Sequence, residues 1–217
     1  MTYVRLHTLH RLSARFAKDD AGGTLVEFTL VLPLFLLLFF GLIDFGRLAF
    51  HYVVAEKAMH VATRVATVRP VACNAVNLPE FHLRPEDGGG GQNFGTRCNA
   101  AGNVCRPVAD VSCPGALQNP TVAEIWPLIR GALPVGATPE NLRFSYSYDP
   151  NLGFLGGPYV PVVTVELQNL SFQFVSPLSA FVALGGGTAV AGLGADIPYP
   201  PMSVSLPGED LNQGEQG

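Results

Sequence analysis

The stretch Gly22-Gly-Thr-Leu-Val-Glu-Phe-Thr-Leu-Val-Leu-Pro33 begins a long apolar segment. Residues 28–43 carry no charge, and the wider range 24–43 carries only the carboxylate of Glu27. Twenty helical residues, at a rise of about 1.5 Å each, span about 30 Å, which is the thickness of one bilayer core. The segment therefore predicts a helix that crosses a membrane once.

The residues before this segment predict its orientation. Arg5, Arg11, Arg15 and Lys18 precede it, and basic residues favour the cytoplasmic side of a membrane. We therefore expect a cytoplasmic N-terminus and an exported chain from about Asp44 onward. A secretory signal peptide is the alternative, but the apolar segment is longer than a usual signal core and no small-x-small cleavage site follows it cleanly.

The sequence beyond the apolar segment predicts that the helix continues. Residues 44–69 contain no proline and, after Gly46, no glycine. Apolar residues recur there at steps of three and four, which predicts one apolar face. This face comprises Phe45, Leu48, Ala49, Tyr52, Val53, Met59, Ala62 and Ala66. Its partner is either the chain's own domain or a neighbouring subunit. Asp44 and Arg47, three residues apart, are predicted to form a juxtamembrane ion pair or to bind a partner.

Four cysteines, Cys73, Cys98, Cys105 and Cys113, lie in the part expected to be exported. An even number in an oxidising compartment favours two disulfides. Of the three possible pairings we favour Cys98 with Cys105 and Cys73 with Cys113, because the turn residues of 99–103 could close a short loop. A zinc site is the alternative, but there is no CxxC pair and His82 is the only nearby histidine, so we predict no metal.

The remaining pattern predicts an α+β fold: a long N-terminal helix followed by a small disulfide-bonded domain with an antiparallel sheet. A capping box at Thr121-Val-Ala-Glu124 predicts a short helix to about Gly131. Strands are predicted over 142–148, once or twice within 160–174, and over 202–206, with a short helix over 176–184. We divide the chain into a leader (1–22), the helix (23–70), an irregular cysteine-rich region (71–119) and a strand-rich domain with a polar tail (120–217).

The sequence contains little that indicates catalysis. All five histidines, at positions 7, 10, 51, 60 and 82, precede the strand-rich domain, and no nucleophile, zincin, phosphate-loop or dinucleotide motif occurs. Asp149, Glu166 and Asp196 are possible acid–base residues, although no spacing recommends them. The net charge is −4, and residues 71–217 alone carry −7, which argues against a nucleic-acid surface. We predict a protein that is not an enzyme and has no cofactor.

The segment 22–70 resembles the TadE-like family, the minor pseudopilins of tight-adherence (Flp) pilus systems. The similar positions are Gly22, Glu27, Phe28, Pro33, Gly41, Asp44, Phe45, Gly46 and Arg47. In the wider superfamily of type IV prepilins a membrane peptidase cuts after the glycine, and the fifth mature residue, a glutamate, serves in assembly. The resemblance implies cleavage between Gly22 and Gly23 and an assembly role for Glu27 and Phe28. Cleavage after Gly23 is the less favoured alternative.

The resemblance also implies a function and partners. The expected protein is a pilus assembly protein in the bacterial inner membrane, with a periplasmic C-terminal domain. The implied partners are a prepilin peptidase, other pilins and pseudopilins, the inner-membrane secretion platform and the lipid bilayer. An uncleaved membrane scaffold of the secretion machinery is the alternative, and a membrane-anchored periplasmic hydrolase is a remote one.

Overall fold

The computed structural model describes residues 23–74, 76–86, 91–100, 104–175 and 196–209. The regular elements are helices α1 (Gly23–Thr67) and α2 (Pro120–Ile129), strands β1 (Val111–Pro114), β2 (Leu142–Ser147), β3 (Val162–Leu167), β4 (Ser171–Phe172), β5 (Ile197–Pro198) and β6 (Met202–Pro207), and 3₁₀ turns at Arg130–Ala132 and Pro139–Asn141. The chain divides into two compact units, one of residues 1–46 and 173–195 and one of residues 47–172 and 196–217. The predicted α+β class is confirmed.

Helix α1 has 45 residues and continues through Pro33. The buried stripe in its second half consists of four alanines and one larger residue: Ala55, Ala58, Met59, Ala62 and Ala66. The predicted apolar face is therefore right from Met59 onward. Phe45, Tyr52 and Val53 are more than one-third exposed, so a partner for them in a neighbouring subunit stays a prediction. The stripe that packs inward is the one whose alanines permit close approach.

The second half of α1 packs against its own domain. The hydroxyl of Thr63 donates to the Met59 carbonyl at 2.8 Å and lies 3.4 Å from the Val204 carbonyl of β6. At the end of the helix, the amide of Glu209 donates to the Thr67 carbonyl at 2.9 Å. These contacts show that the chain itself supplies a partner for the buried stripe, which the sequence left open.

The main sheet has the strand order β1-β2-β3-β6, and every pairing is antiparallel. Cross-strand neighbours on the inner face include the row Cys113, Phe144, Val165 and Val204. The next row, Ser112, Ser145, Thr164 and Ser205, consists entirely of hydroxyl residues and lies on the outer face. This alternation is what a sheet with one packed face requires. The predicted strands over 142–148, 160–174 and 202–206 are confirmed.

Two local predictions need correction. The cysteine-rich region, residues 71–119, contains strand β1, which pairs with β2 and so takes its regularity from a partner far along the chain. Helix α2 begins earlier than predicted, because the side chain of Asn119, and not that of Thr121, accepts from the amides of Thr121 and Val122. The helix predicted over 176–184 lies outside the described residues.

An exposed ion pair joins α2 to the chain just past α1. The guanidinium of Arg69 contacts both carboxylate oxygens of Glu124, at 2.8 and 3.1 Å. The hydrogen bond from Arg69 lowers the pKa of Glu124. In the core, the amide of Ala72 donates to the hydroxyl of Tyr146 at 2.8 Å, and burial raises the pKa of Tyr146 to about 12.

Candidate functional site

Helix α1 begins at Gly23, so the described chain starts at one side of the predicted cleavage site, and Gly22 lies outside it. Glu27 lies in the second turn, and both Glu27 and Phe28 are exposed. In the described part of the chain, Glu27 has no hydrogen-bond or ion-pair partner. A carboxylate is therefore presented at the start of an apolar helix without a partner from its own described chain.

The first half of α1 exposes large apolar side chains over most of its surface, whereas Leu36, Leu37 and Phe40 are half-buried. The exposed ones are Leu25, Val26, Phe28, Leu30, Val31, Leu34, Phe35, Leu38, Phe39 and Leu42. Full burial of one such side chain is worth about 1.5–3 kcal/mol, so this surface is strongly unfavourable in water. The helix is long and apolar enough to cross a membrane, and its most apolar window is not buried in the protein. This half of α1 is therefore suited to surroundings of lipid or of other apolar helices.

The polar group of Thr29 is compatible with that environment. Its hydroxyl donates to the carbonyl of Leu25 at 2.6 Å, one helical turn earlier. Unpaired polar groups are costly in hydrocarbon, and this bond satisfies one within the helix. Glu27 is the one charged side chain between Gly23 and Ile43, and it has no partner in the described part of the chain.

Asp44 is almost completely buried, with 1% of its surface exposed. One of its carboxylate oxygens accepts a hydrogen bond from the amide of Val175 at 3.4 Å. Next to it, the ring of Phe45 packs edge-on against the ring of Phe174, with centroids 5.9 Å apart. The segment 173–175 thus returns to this turn of α1, a contact that no local pattern in the sequence indicates.

Arg47, the other residue of the predicted juxtamembrane pair, makes a different described contact. Its guanidinium lies over the ring of Phe172, 5.6 Å from the ring centroid. The ring of His51 also lies near Phe172, with the two ring centroids 6.0 Å apart. A cation over an aromatic face is weakly stabilising at an exposed site and more so when water is excluded. The ion pair between Asp44 and Arg47 stays a prediction.

Two disulfides are present, Cys73–Cys113 and Cys98–Cys105, and no cysteine is free. The connectivity favoured from the sequence is confirmed. The first bond joins the chain just past α1 to strand β1, across 40 residues. The second closes a loop of seven residues. Together they tie the cysteine-rich region to the sheet and to itself.

His82 is the buried polar residue of the cysteine-rich region that the sequence did not explain. Its Nε2 accepts from the amide of Val160 at 3.4 Å, and its ring packs against Tyr159 with centroids 5.2 Å apart. Burial lowers the pKa of His82. Gly153 lies against the ring at φ +83°, where a Cβ would overlap the imidazole. The glycines at 153, 156 and 157 are the sequence signal for this close packing, because glycine often marks a place where the backbone closely approaches another group.

The three carboxylates considered for catalysis belong to different elements. Asp149 lies in a turn, where its side chain accepts from the amide of Asn151 at 2.9 Å. Glu166 lies on β3, opposite Arg143 of β2. Asp196 precedes β5. Each has a structural setting of its own, and the contacts described for them do not bring any two together.

The comparison with protein families identifies the part of the chain that carries the candidate site. The family model described as TadE-like protein matches residues 22–64, which is α1 almost to its end together with the preceding glycine. No curated protein and no solved structure matches the chain. The matched segment contains Gly22, Glu27, Asp44 and Arg47. The similarity to the TadE-like family therefore lies in helix α1.

Proposed function

We propose that this chain is a minor pseudopilin of a tight-adherence pilus, held in the bacterial inner membrane by α1 and processed by a prepilin peptidase. TadE-like proteins are pilus assembly components that are not known as enzymes. The observation that carries the proposal is the first half of α1. Large apolar side chains are exposed over most of its surface, and Glu27, which has no partner in the described part of the chain, lies at its start inside the TadE-like segment.

An exposed apolar helix has two suitable environments, lipid and a bundle of similar helices. Transfer between them gains little hydrophobic energy, because lipid tails are as apolar as leucine side chains. Packing and polar pairing must therefore favour the bundle. Glu27 is suited to this role, since a carboxylate that pairs within a bundle is relieved of a cost that lipid imposes.

Cleavage after Gly22 would create the pairing group. The new amino group of Gly23 lies four residues before Glu27, which is about 6 Å along a helix. The carboxylate can meet the amine of its own chain or of a neighbouring one. A pair between chains would set the axial register of adjacent helices in the pilus.

The disulfide-bonded domain supports an exported position for the C-terminal part. Disulfides persist in oxidising compartments and are rare in the cytosol. All four cysteines of these bonds follow α1 in the sequence, whereas the basic residues of the leader precede it. We infer a cytoplasmic N-terminus and a periplasmic domain.

Substitution of Gly22 tests processing. A bulky residue at the cleaved bond should block the approach of the peptidase, so Gly22→Leu is expected to leave a full-length chain, whereas the natural chain begins at Gly23. N-terminal sequencing of membrane-purified protein measures this. Gly41→Leu is the control, because a Cβ at Gly41 has no atom within 4 Å. A Gly22→Leu chain that still begins at Gly23 would show that the site is misassigned.

Substitution of Glu27 tests assembly. Glu27→Ala should leave the membrane level and cleavage normal and abolish piliation, since only the pairing of helices is lost. Glu56→Ala, which removes an exposed carboxylate from the second half of the same helix, should keep pili. Pili at normal number in Glu27→Ala would reduce Glu27 to a solvated residue at the membrane surface.

The scaffold hypothesis makes a different prediction for the natural chain. A membrane-fixed scaffold of the secretion machinery needs no processing, so its purified form would keep an intact N-terminus. Sequencing with and without the candidate peptidase therefore separates the two functions.

A further inference from the structure

We propose that reduction of the Cys98–Cys105 disulfide opens a Zn²⁺ site formed by Cys98, Cys105 and His82. The two sulfurs and a ring nitrogen of His82 all lie within 4.8 Å of one another. All three side chains are buried, with 5%, 3% and 1% of their surfaces exposed, respectively. Buried thiolate and imidazole ligands are the set that zinc prefers.

The state of the His82 ring points to a ligand. Nε2 accepts from the amide of Val160 at 3.4 Å, so Nδ1 carries the proton in this tautomer, and it is buried with no hydrogen-bond partner in the described part of the chain. Transfer of that proton to Nε2 gives up the long bond to Val160 and frees the lone pair of Nδ1 for a metal. A buried polar group without a partner is destabilising, so its presence here needs a reason.

The backbone holds the three residues together independently of the S–S bond. The amide of Arg106, next to Cys105, donates to the carbonyl of Leu83, next to His82, at 2.7 Å. The amide of Cys98 donates at 3.4 Å to the carbonyl of Gly153, the glycine that lies against the His82 ring. Opening the disulfide therefore leaves both cysteines anchored beside His82.

The required movement is small. Two thiolates on a tetrahedral zinc, at about 2.3 Å each, are about 3.8 Å apart, which is somewhat farther than two sulfurs joined in a disulfide. Rotation of the cysteine side chains can supply this separation. Three protein ligands leave a fourth position for water or another donor.

Oxidation and metal binding exclude one another. On binding Zn²⁺, each thiol releases one proton and no electron is transferred. On oxidation, the two thiols lose two electrons and two protons to a disulfide-bearing oxidant, and the S–S bond removes both sulfur ligands. The site therefore belongs to the reduced chain, and zinc would close the same loop that the disulfide closes afterwards.

The other disulfide serves as an internal control. Among the described residues, Cys73 and Cys113 belong to no comparable cluster with a histidine. The variant C73S/C113S leaves Cys98 and Cys105 as the only thiols and should keep the metal site. The variant C98S/C105S should lose it.

The test is a titration of the full-length chain in detergent with Co²⁺, after reduction by a phosphine without oxygen. Charge-transfer absorption from thiolate to cobalt reports binding, and added Zn²⁺ should displace the cobalt. We expect one metal per reduced chain and none per oxidised chain. His82→Gln should weaken binding more than about 10-fold, the lower end of what loss of an outer-shell partner costs. His60→Gln, at an exposed position, should bind like the natural chain.

Absence of the absorption band from the reduced chain, or equal affinity of His82→Gln and His60→Gln, would overturn the proposal. Binding that survives in C98S/C105S would also overturn it. If C73S/C113S does not fold, the reduced natural chain and its two histidine variants decide the question alone.

Discussion

The first and second halves of helix α1 form one regular element but have opposite surroundings. The first half exposes leucine and phenylalanine side chains, whereas the second half buries alanines around Met59 against its own domain. Large side chains exposed over most of a helix leave an apolar surface for other partners, and small ones on one side allow a sheet to approach closely. A single helix can therefore carry two functions, an apolar surface offered to lipid or other chains and a fixed support for a folded domain.

Removal of a disulfide should have the largest effect on stability, because both disulfides lie in the folded domain and not in the exposed first half of α1. In the chain-entropy estimate, loss of Cys73–Cys113 in C73S/C113S should cost about 4 kcal/mol, and loss of Cys98–Cys105 in C98S/C105S about 2 kcal/mol, since the second loop is shorter. Denaturant unfolding, followed by the fluorescence of Trp126, measures both. The membrane level of the chain should not change. A reversed rank order would contradict the estimate.

A pair of substitutions in α1 compares its halves directly. Met59→Ala should lower the free energy of unfolding by about 2–5 kcal/mol, because it leaves a cavity beside residues that are fully buried. The control, Leu38→Ala, removes an exposed side chain of the first half and should change the unfolding of the domain by less than about 0.5 kcal/mol. Equal losses in the two variants would show that the halves do not differ as described.

The smallest effect is expected from pH, through His82. Its pKa is lowered in the folded chain, so the unfolded chain takes up the proton first as the pH falls. Stability should be full above about pH 6.5, the ordinary histidine pKa, and decrease from there down to the folded pKa. Urea unfolding of the oxidised chain across pH 4.5–8 measures the slope.

His82→Gln should flatten this slope, whatever its effect on stability at neutral pH. His60→Gln, at an exposed position, should leave the slope unchanged. The contribution of Glu124 is separable, because its carboxylate titrates below the ordinary value of about 4.5. A slope that persists in His82→Gln would assign the pH dependence to another group.

Local pattern alone was enough for much of the fold. The apolar run and the lack of proline over residues 44–69 predicted α1, and the alternation of Leu142, Phe144 and Tyr146 with polar residues predicted β2. The turn residues between Cys98 and Cys105 favoured the correct disulfide pairing. These features depend on residues close together in sequence, so periodicity and turn chemistry report them directly. The TadE-like match likewise lies in a segment whose motif is contiguous.

Only the tertiary structure decided which surfaces meet. The burial of Asp44 depends on Val175, 131 residues later, and β1 is a strand because β2 lies beside it. The imidazole of His82 lies beside the Cys98–Cys105 bond because backbone hydrogen bonds from distant segments bring it there. Contacts of this kind are set by long-range packing and pairing, whose partners leave no periodic signal near the residue itself. The sequence by itself therefore determined the helix and the alternation of the strands, and it favoured the cysteine pairs that form. The folded chain determined which residues each of these elements contacts.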